Sequence, residues 1–408
     1  MFTAEIISIG DELTSGALID TNSAFLSREL SELGIAVLFH TTVGDDLPAM
    51  TSVFETALSR SDLVLVTGGL GPTEDDLTRQ AASTVARVSL VRNPEAMETI
   101  RRLFEIRGCV MPASNEIQSY FPEGARVIDN PHGTAPGFEL VVDRALFGGN
   151  GRSKMMAYPG VPAELKEMWD ASGKAHALDW EYERTARRET IAVRVFHTFG
   201  AGESDVESRL PHLIARDRWP RVGITASSGV ITLRVLARGE DPQCCARQID
   251  ETAEIIYSRL GDLVYGEGDE TLASVTMGRL AARGKRLATL EWGTHGLLAE
   301  QVPPPLFAGG LVESELGSVK KVLGLDPLAS LEETLRAWQK KSGAEALLAV
   351  GPFPVGEKEM PCEKFFVPVA ALLDGTYREE SFPYGLHPSI VKTVFVNRAL
   401  NLLRKMLG

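Results

Sequence analysis

Asp62-Leu-Val-Leu-Val-Thr67-Gly-Gly-Leu-Gly-Pro-Thr73-Glu-Asp-Asp-Leu-Thr78 passes from a short apolar run through three glycines into helix-forming residues. An apolar run over 62–67 bounded by glycine reads as a strand buried on both faces, the kind found inside parallel sheets. The flanking sequence repeats the unit. Residues 4–9 form a β-branched run ending at Gly10, and 35–41 form another. Residues 22–33, with Leu26, Leu30 and Leu33 on one face, read as a helix, as do 47–59 and 73–87. Strand–helix alternation at this spacing predicts an α/β fold with a parallel sheet between two helical layers. In such sheets ligands sit beyond the carboxyl ends of the strands. Loops 10–20, 41–46 and 68–76 therefore share one edge. The segment Tyr158-Pro-Gly-Val-Pro162 then breaks the chain before a further helix at 163–169.

Past residue 170 the pattern changes. Residues 189–199 and 230–238 alternate like strands, while 204–213 and 243–260 read as helices, so a small α+β domain is expected. Further on come a helix at 272–283, a strand at 286–291, a break at Pro303-Pro-Pro305, a strand at 346–350 and a terminal helix at 390–407. The expected domains are 1–170, 171–262 and 268–408. A chain of 408 residues suits two or three domains.

Composition narrows the function classes. Hydrophobic residues make up 44% and charged residues 24%, the balance of a folded soluble chain. No apolar stretch approaches the ~20 residues needed to span a bilayer, and the acidic N-terminus lacks the basic start of a signal peptide. The net charge of -13, from 42 Lys plus Arg against 55 Asp plus Glu, repels a phosphate backbone, so nucleic acid is not an expected partner. The cysteines, Cys109, Cys244, Cys245 and Cys362, contain no C-x-x-C pair, which fits a reducing cytoplasm.

The glycine loop carries the sharpest chemistry. Gly68, Gly69 and Gly71 let backbone N–H groups approach a ligand, and Thr73 reads as an N-cap with Asp76 three residues on. Glu74, Asp75 and Asp76 stand beside this anion site. Carboxylates repel a phosphate unless a divalent cation lies between them, so the pattern suggests metal-assisted phosphate chemistry. The plainer alternative is that the acids cap the helix and complement its dipole. Gly10-Asp11-Glu12, Asp20-Thr21-Asn22 and Gly44-Asp45-Asp46 bring further acids and glycines to the same edge, and each also reads as a turn and cap. Asn130-Pro-His-Gly-Thr-Ala-Pro-Gly137 is a turn-rich connection. The loop is neither G-x-G-x-x-G nor a Walker A sequence.

GDELTSGALIDTN, VGDD, VTGGLGPTEDDLT, NPHGTAPGF, YPGVPAELKEMW, FGAGESDVESRL (199–210) and LGDLVYGEGDETLASV (260–275), in this order, resemble the competence/damage-inducible CinA family along nearly the whole chain. The resemblance implies a first domain related to the molybdopterin-binding domains of MogA-like proteins, a KH-like middle domain and a CinA C-terminal domain. It also implies an ADP-ribose pyrophosphatase releasing AMP and ribose 5-phosphate, with a divalent cation such as Mg and a possible monovalent one, in a homodimer. Matched position by position, Asp45 and Asp76 take the place of the paired catalytic aspartates. Gly68, Gly69, Gly71 and Thr73 match the phosphate loop, Asp11, Glu12 and Asn22 the first loop, and Asp75 joins Asp76 at the metal. Which acid activates water stays open. So do two other readings: molybdopterin binding or adenylyl transfer, and a non-catalytic scaffold or nucleotide sensor. The middle domain has no G-x-x-G clamp for RNA within 171–262 and reads as scaffold or dimer contact.

The C-terminal domain departs from the family pattern. Active relatives, nicotinamide mononucleotide deamidases, carry A-E-S-C-T-G-G where this chain has Leu290-Glu-Trp-Gly-Thr-His-Gly296, so Trp292 replaces the serine nucleophile. Ser314 replaces the family tyrosine and Val319 the lysine, with Lys320 and Lys321 out of register. Glu291, Thr294 and His295 remain, without a recognised nucleophile–base spacing. This domain reads as a pseudoenzyme.

Overall fold

All five residues of the strand Leu63–Thr67 are buried, and its apolar side chains alternate between two cores. Val64 and Val66 pack with Ile7, Ile9, Met50 and Phe54, whereas Leu63 and Leu65 pack with Ile6, Leu26, Leu30 and Trp169. Complete burial of each such side chain stabilises by about 1.5–3 kcal/mol, which puts this strand at the centre of a sheet covered on both faces. The computed structural model describes residues 2–186, 190–215, 218–313, 316–353 and 365–408. The chain divides into two units, Met1–Ile191 with Arg238–Pro242, and Ala192–Ala237 with Gln243–Gly408.

The first unit contains β1 (Thr3–Ile9), β2 (Ala36–Val43), β3 (Leu63–Thr67), β4 (Leu90–Arg92), β5 (Tyr120–Pro122), β6 (Arg126–Ile128), β7 (Gly137–Asp143) and β8 (Arg152–Tyr158). Six of them form one sheet in the order β2-β1-β3-β8-β7-β6. β2, β1, β3 and β8 are parallel, as expected, and β7 and β6 run antiparallel at one side. The register brings the strand ends together: Ile9 lies opposite Val43, and Thr67 lies opposite both Ser8 and Tyr158. From β1 the chain moves to β2 on one side and then to β3 on the other. This is a topological switch point, the crevice in which α/β proteins hold ligands.

Two helices follow the expected bounds closely, Thr21–Glu32 and Leu47–Arg60, and each is capped by an aspartate. Asp20 accepts from the Ser23 N–H and Asp46 from the Ala49 N–H, both at 2.9 Å. Such caps contribute about 0.5–2 kcal/mol each, so these two acids serve the fold. The third helix differs from expectation. It runs over Thr78–Ala86 rather than 73–87, with no acid in its first turn and no side-chain cap. Thr73 is therefore not an N-cap, and Glu74, Asp75 and Asp76 do not complement a helix dipole. The cause is local: Asp76 turns back onto the loop, and Gly68 and Gly69 adopt φ of +106° and +65°, which no helix admits.

In the second unit, β9 (Thr190–Phe199), β10 (Arg221–Ser227), β11 (Val230–Gly239) and β12 (Val264–Glu267) form a sheet in the order β10-β11-β9-β12. β10 and β12 are strands that the sequence pattern did not reveal. Helices Glu203–Arg209 and Pro242–Leu260 cover the sheet, burying Val206, Ile249 and Ile256 against Phe196, Leu233 and Val235. Further along, β13 (Leu287–Trp292), β14 (Phe307–Glu313), β15 (Ala346–Val350), β16 (Phe366–Leu373) and β17 (Thr376–Pro383) form a mixed sheet in the order β14-β13-β15-β16-β17. Helices Leu272–Ala282 and Pro388–Leu407 pack on one face and Leu331–Ser342 on the other. Among the described residues no helix is long and apolar enough to cross a membrane.

Candidate functional site

A cleft of about 620 Å³ opens at the switch point of the first unit. Its walls are the segments that follow β1, β2, β3 and β8, and the expected site residues Glu12, Asp45, Gly68, Gly69, Gly71, Thr73, Asp75 and Asp76 all line it. Asp11 stands behind them. Its N–H donates to Asp45 Oδ2 at 3.0 Å and its Oδ1 accepts from the Asp45 N–H at 3.1 Å, so the two loops are tied reciprocally. Asn22 is buried in the wall: its Nδ2 donates to Thr67 Oγ1 at 2.9 Å and to the Gly160 carbonyl at 2.8 Å, clamping β3 to the segment after β8.

The glycine loop is held from within. Asp76 Oδ1 accepts from the Gly71 N–H at 2.7 Å, and Oδ2 accepts from the Thr73 N–H at 2.9 Å and the Thr73 hydroxyl at 2.5 Å. Thr78 donates its hydroxyl to the Gly68 carbonyl at 2.7 Å. Arg79, a residue the sequence reading passed over, is 2% exposed and donates to the carbonyls of Leu70 and Gly71 at 2.8 and 2.7 Å. Burial pushes its pKa down to about 10 against the opposing pull of Asp76. The glycines also serve a different purpose from the one expected. A Cβ on Gly68 would meet the Ile9 carbonyl oxygen at 2.4 Å, and one on Gly69 would meet Thr78 Oγ1 at 2.3 Å. Glycine is needed there for the left-handed turn and for packing, before any ligand arrives. Among the described residues the N–H groups of Gly69 and Leu70 have no protein acceptor.

The electrostatics are one-sided. Among the described residues five carboxylates line the cleft, from Glu12, Asp45, Asp75, Asp76 and Glu164, and no Lys, Arg or His does. Partial burial raises the Asp45 pKa, and the charges of Asp11, Glu12 and Asp75 raise it further, outweighing the Asp11 N–H. Glu164 is a residue the sequence reading placed only within a helix. Helix Pro162–Met168 presents it to the cleft, and it accepts from Asn130 Nδ2 at 2.7 Å, joining the helix to the 130–137 connection. Gln118, also in the wall, donates to the Leu70 carbonyl at 3.3 Å. Among the described residues no three His, Cys, Asp or Glu converge to hold a metal ion by themselves. Mg is commonly held by one or two carboxylates with substrate phosphates completing the shell, so this donor set fits a cation that enters with an anionic ligand.

Two of the residues singled out in the C-terminal part, Trp292 and Val319, belong to a packed core. Trp292 and Val319 are buried in one apolar cluster with Leu335 and Trp338. Lys320 donates to the Pro327 carbonyl at 2.6 Å, and Ser314 lies outside the described residues. Glu291 is fully buried and accepts from the Thr294 hydroxyl at 2.5 Å and from the N–H groups of Leu298 and Ala299 at 3.0 and 2.9 Å, holding the turn after β13. His295 is exposed on that turn.

A mostly parallel α/β sheet with a cleft at its switch point defines the class of this first domain, and comparison with known proteins agrees on the fold. The family described as "Probable molybdopterin binding domain" matches residues 5–177, and "Damage-inducible protein CinA KH domain" matches 193–266. A CinA-like protein of Dictyoglomus thermophilum is 37% identical over 313 residues, covering 76% of this chain and 73% of its own. A relative in Geobacillus kaustophilus bearing a competence-damage inducible designation is 37% identical over 336 residues, covering 81% and 78%. A crystal structure of CinA from Thermoplasma acidophilum is 32% identical over 42% of this chain and 96% of that one, with a TM-score of 0.38. The chain belongs to the CinA family.

Proposed function

We propose that the first domain hydrolyses the pyrophosphate bond of ADP-ribose to AMP and ribose 5-phosphate with the help of a divalent cation. The observation that carries this reading is a switch-point cleft with five carboxylates and no basic side chain beside an anion-cradling loop. A pyrophosphate can stay in such a place only with positive charge between it and the acids. Asp75 and Asp76 are the ligands assigned to that cation; a carboxylate offers about four acceptor sites, and Asp76 has used three. When bound, the cation supplies neutralisation of the phosphates and a lowered pKa for a water molecule.

The chain's own residues do the rest. The N–H groups of Gly69 and Leu70, for which the described residues offer no acceptor, are the donors assigned to the phosphate oxygens. Asp45 is the acid best suited to take the proton of the attacking water, because burial and its acidic neighbours raise its proton affinity. As the water oxygen bonds to one phosphorus, the bridging P–O bond breaks and its oxygen leaves with the other phosphate. Trp292 and Val319, packed as core where a nucleophile and a lysine would stand, support the accompanying reading that the C-terminal domain does not deamidate nicotinamide mononucleotide. The test is AMP release from ADP-ribose with Mg, with chelator and with Asp45→Asn. No AMP under any condition refutes the reading. The description of the matched domain favours one alternative, molybdopterin binding, with or without adenylyl transfer to it, which the same assay with ATP and molybdopterin distinguishes.

A further inference from the structure

The second unit contains a cavity of about 370 Å³ that the proposed reaction does not use. One wall is Phe199-Gly-Ala-Gly202, the start of a motif singled out in the sequence. The other walls come from Phe382 of β17 and from the terminal helix Pro388–Leu407. The interior is mainly apolar, through Phe199, Phe382, Leu386, Ile390 and Val394, and it is deliberately open: Gly229 stands where a Cβ would press on both Phe199 and Val394 at 3.3 Å. Two donor-bearing side chains, Arg398 and Asn401, line this space. Arg398 stacks its guanidinium over the rings of Phe382 and Phe395, at 3.9 and 4.7 Å from their centroids, and its Nη1 is buried with no hydrogen-bond partner. Asn401 is 6% exposed, and Arg404 Nε donates to its Oδ1 at 2.9 Å, which fixes the amide and turns Nδ2 the other way, towards Gly200 and the cavity. Lys405 and Glu380 also line it, and among the described residues Glu380 is its one carboxylate.

Arg398, held by its stacked rings, and Asn401, held by Arg404, are thus fixed donor groups on the wall of a mainly apolar space. We propose that this cavity is a binding site for an organic anion: a carboxylate, received by Arg398 and Asn401, on a compact apolar or aromatic body that fills the Phe199–Val394 side. The planar guanidinium matches a carboxylate in two parallel hydrogen bonds, and the stacked rings hold it in place for that contact. The volume sits at the small end of ligand pockets, so the body is no larger than one ring or a short chain. Desolvation of Arg398 lowers its pKa, and Glu380 partly offsets this, as an anion would do more fully.

The experiment is calorimetric titration of the full-length protein with benzoate, benzyl alcohol and inorganic phosphate. Benzoate should bind saturably, and at least tenfold more tightly than either the uncharged or the non-apolar probe. Arg398→Met keeps the stem's packing and should weaken benzoate at least tenfold, whereas Glu380→Gln, on the exposed rim, should strengthen it several-fold. No saturable benzoate binding, equal binding of benzoate and benzyl alcohol, or an unchanged affinity in Glu380→Gln would each overturn the proposal. So would a folded Arg398→Met that binds benzoate like the wild type, with folding checked by circular dichroism. Because ADP-ribose is not a probe here, failure leaves the pyrophosphatase reading untouched.

Discussion

Asp76 is the residue at which structure and chemistry can be separated most cleanly. Asp76→Asn keeps one oxygen to accept from the Gly71 N–H but turns an amide NH2 towards the Thr73 N–H and hydroxyl. The Thr73 hydroxyl can rotate to accept from that NH2, but the bond from the Thr73 N–H is lost. A hydrogen bond to a charged acceptor contributes ~1.5–3 kcal/mol; the low end applies to a half-exposed carboxylate, so the folded loop loses about 1.5 kcal/mol. Expressed in transition-state stabilisation, that is about tenfold in kcat/KM. The fold should survive, since Arg79 still holds the Leu70 and Gly71 carbonyls and the core strands are untouched. The assay is AMP release from ADP-ribose over a range of Mg concentrations, alongside hydrogen exchange at the Gly71 and Thr73 amides. Faster exchange at the Thr73 amide, with a rate that high Mg restores only in part, is the expected result, because Asp76 serves both the loop and the cation. Full rescue by Mg with a protected Thr73 amide would assign the loss to metal binding alone. A folded Asn variant with full activity and protected amides would refute the argument altogether.

Gly69→Val should abolish nucleotide binding by calorimetry and also lower the melting temperature, because the new Cβ meets Thr78 Oγ1 at a left-handed φ; Thr78→Ala in the same chain should recover part of the melting temperature. Asp45→Asn should halt AMP release yet raise thermal stability at pH 7. The native pKa of Asp45 lies above its unfolded value, so ionisation disfavours the fold as pH rises through it, and the gain from Asn should fade as pH falls towards the ordinary carboxyl range. Equal melting temperatures at pH 7 would contradict the like-charge cluster. Trp292→Ser should yield no ammonia from nicotinamide mononucleotide and should destabilise by ~3–5 kcal/mol in denaturant titration, the cost of emptying a packed indole site; a stable variant that releases ammonia would show that a pocket, and not a core, lies there.

Residues 62–67 were enough to identify a central parallel strand, because an uninterrupted apolar run can be satisfied only by burial on both faces. From that strand and its neighbours followed the edge on which Gly10, Gly44 and Gly68 meet, since all parallel strands end on the same side. The carboxylates of Glu12, Asp45, Asp75 and Asp76 were legible for the same reason. Local sequence could not reveal the start of the helix at Thr78, because what prevents a helix from beginning at Thr73 is a side chain, Asp76, bonding backward to Gly71 and Thr73. Nor could it bring Glu164 and Gln118 to a loop some fifty or more residues earlier, or reveal that the glycines make room for Ile9 and Thr78 rather than for a ligand alone. Trp292 and Val319 were visible as substitutions, but only packing decided that they fill one core. Periodicity and strand polarity act between near neighbours and are written in the sequence; steric contact and charge between distant segments exist only once the chain has closed on itself.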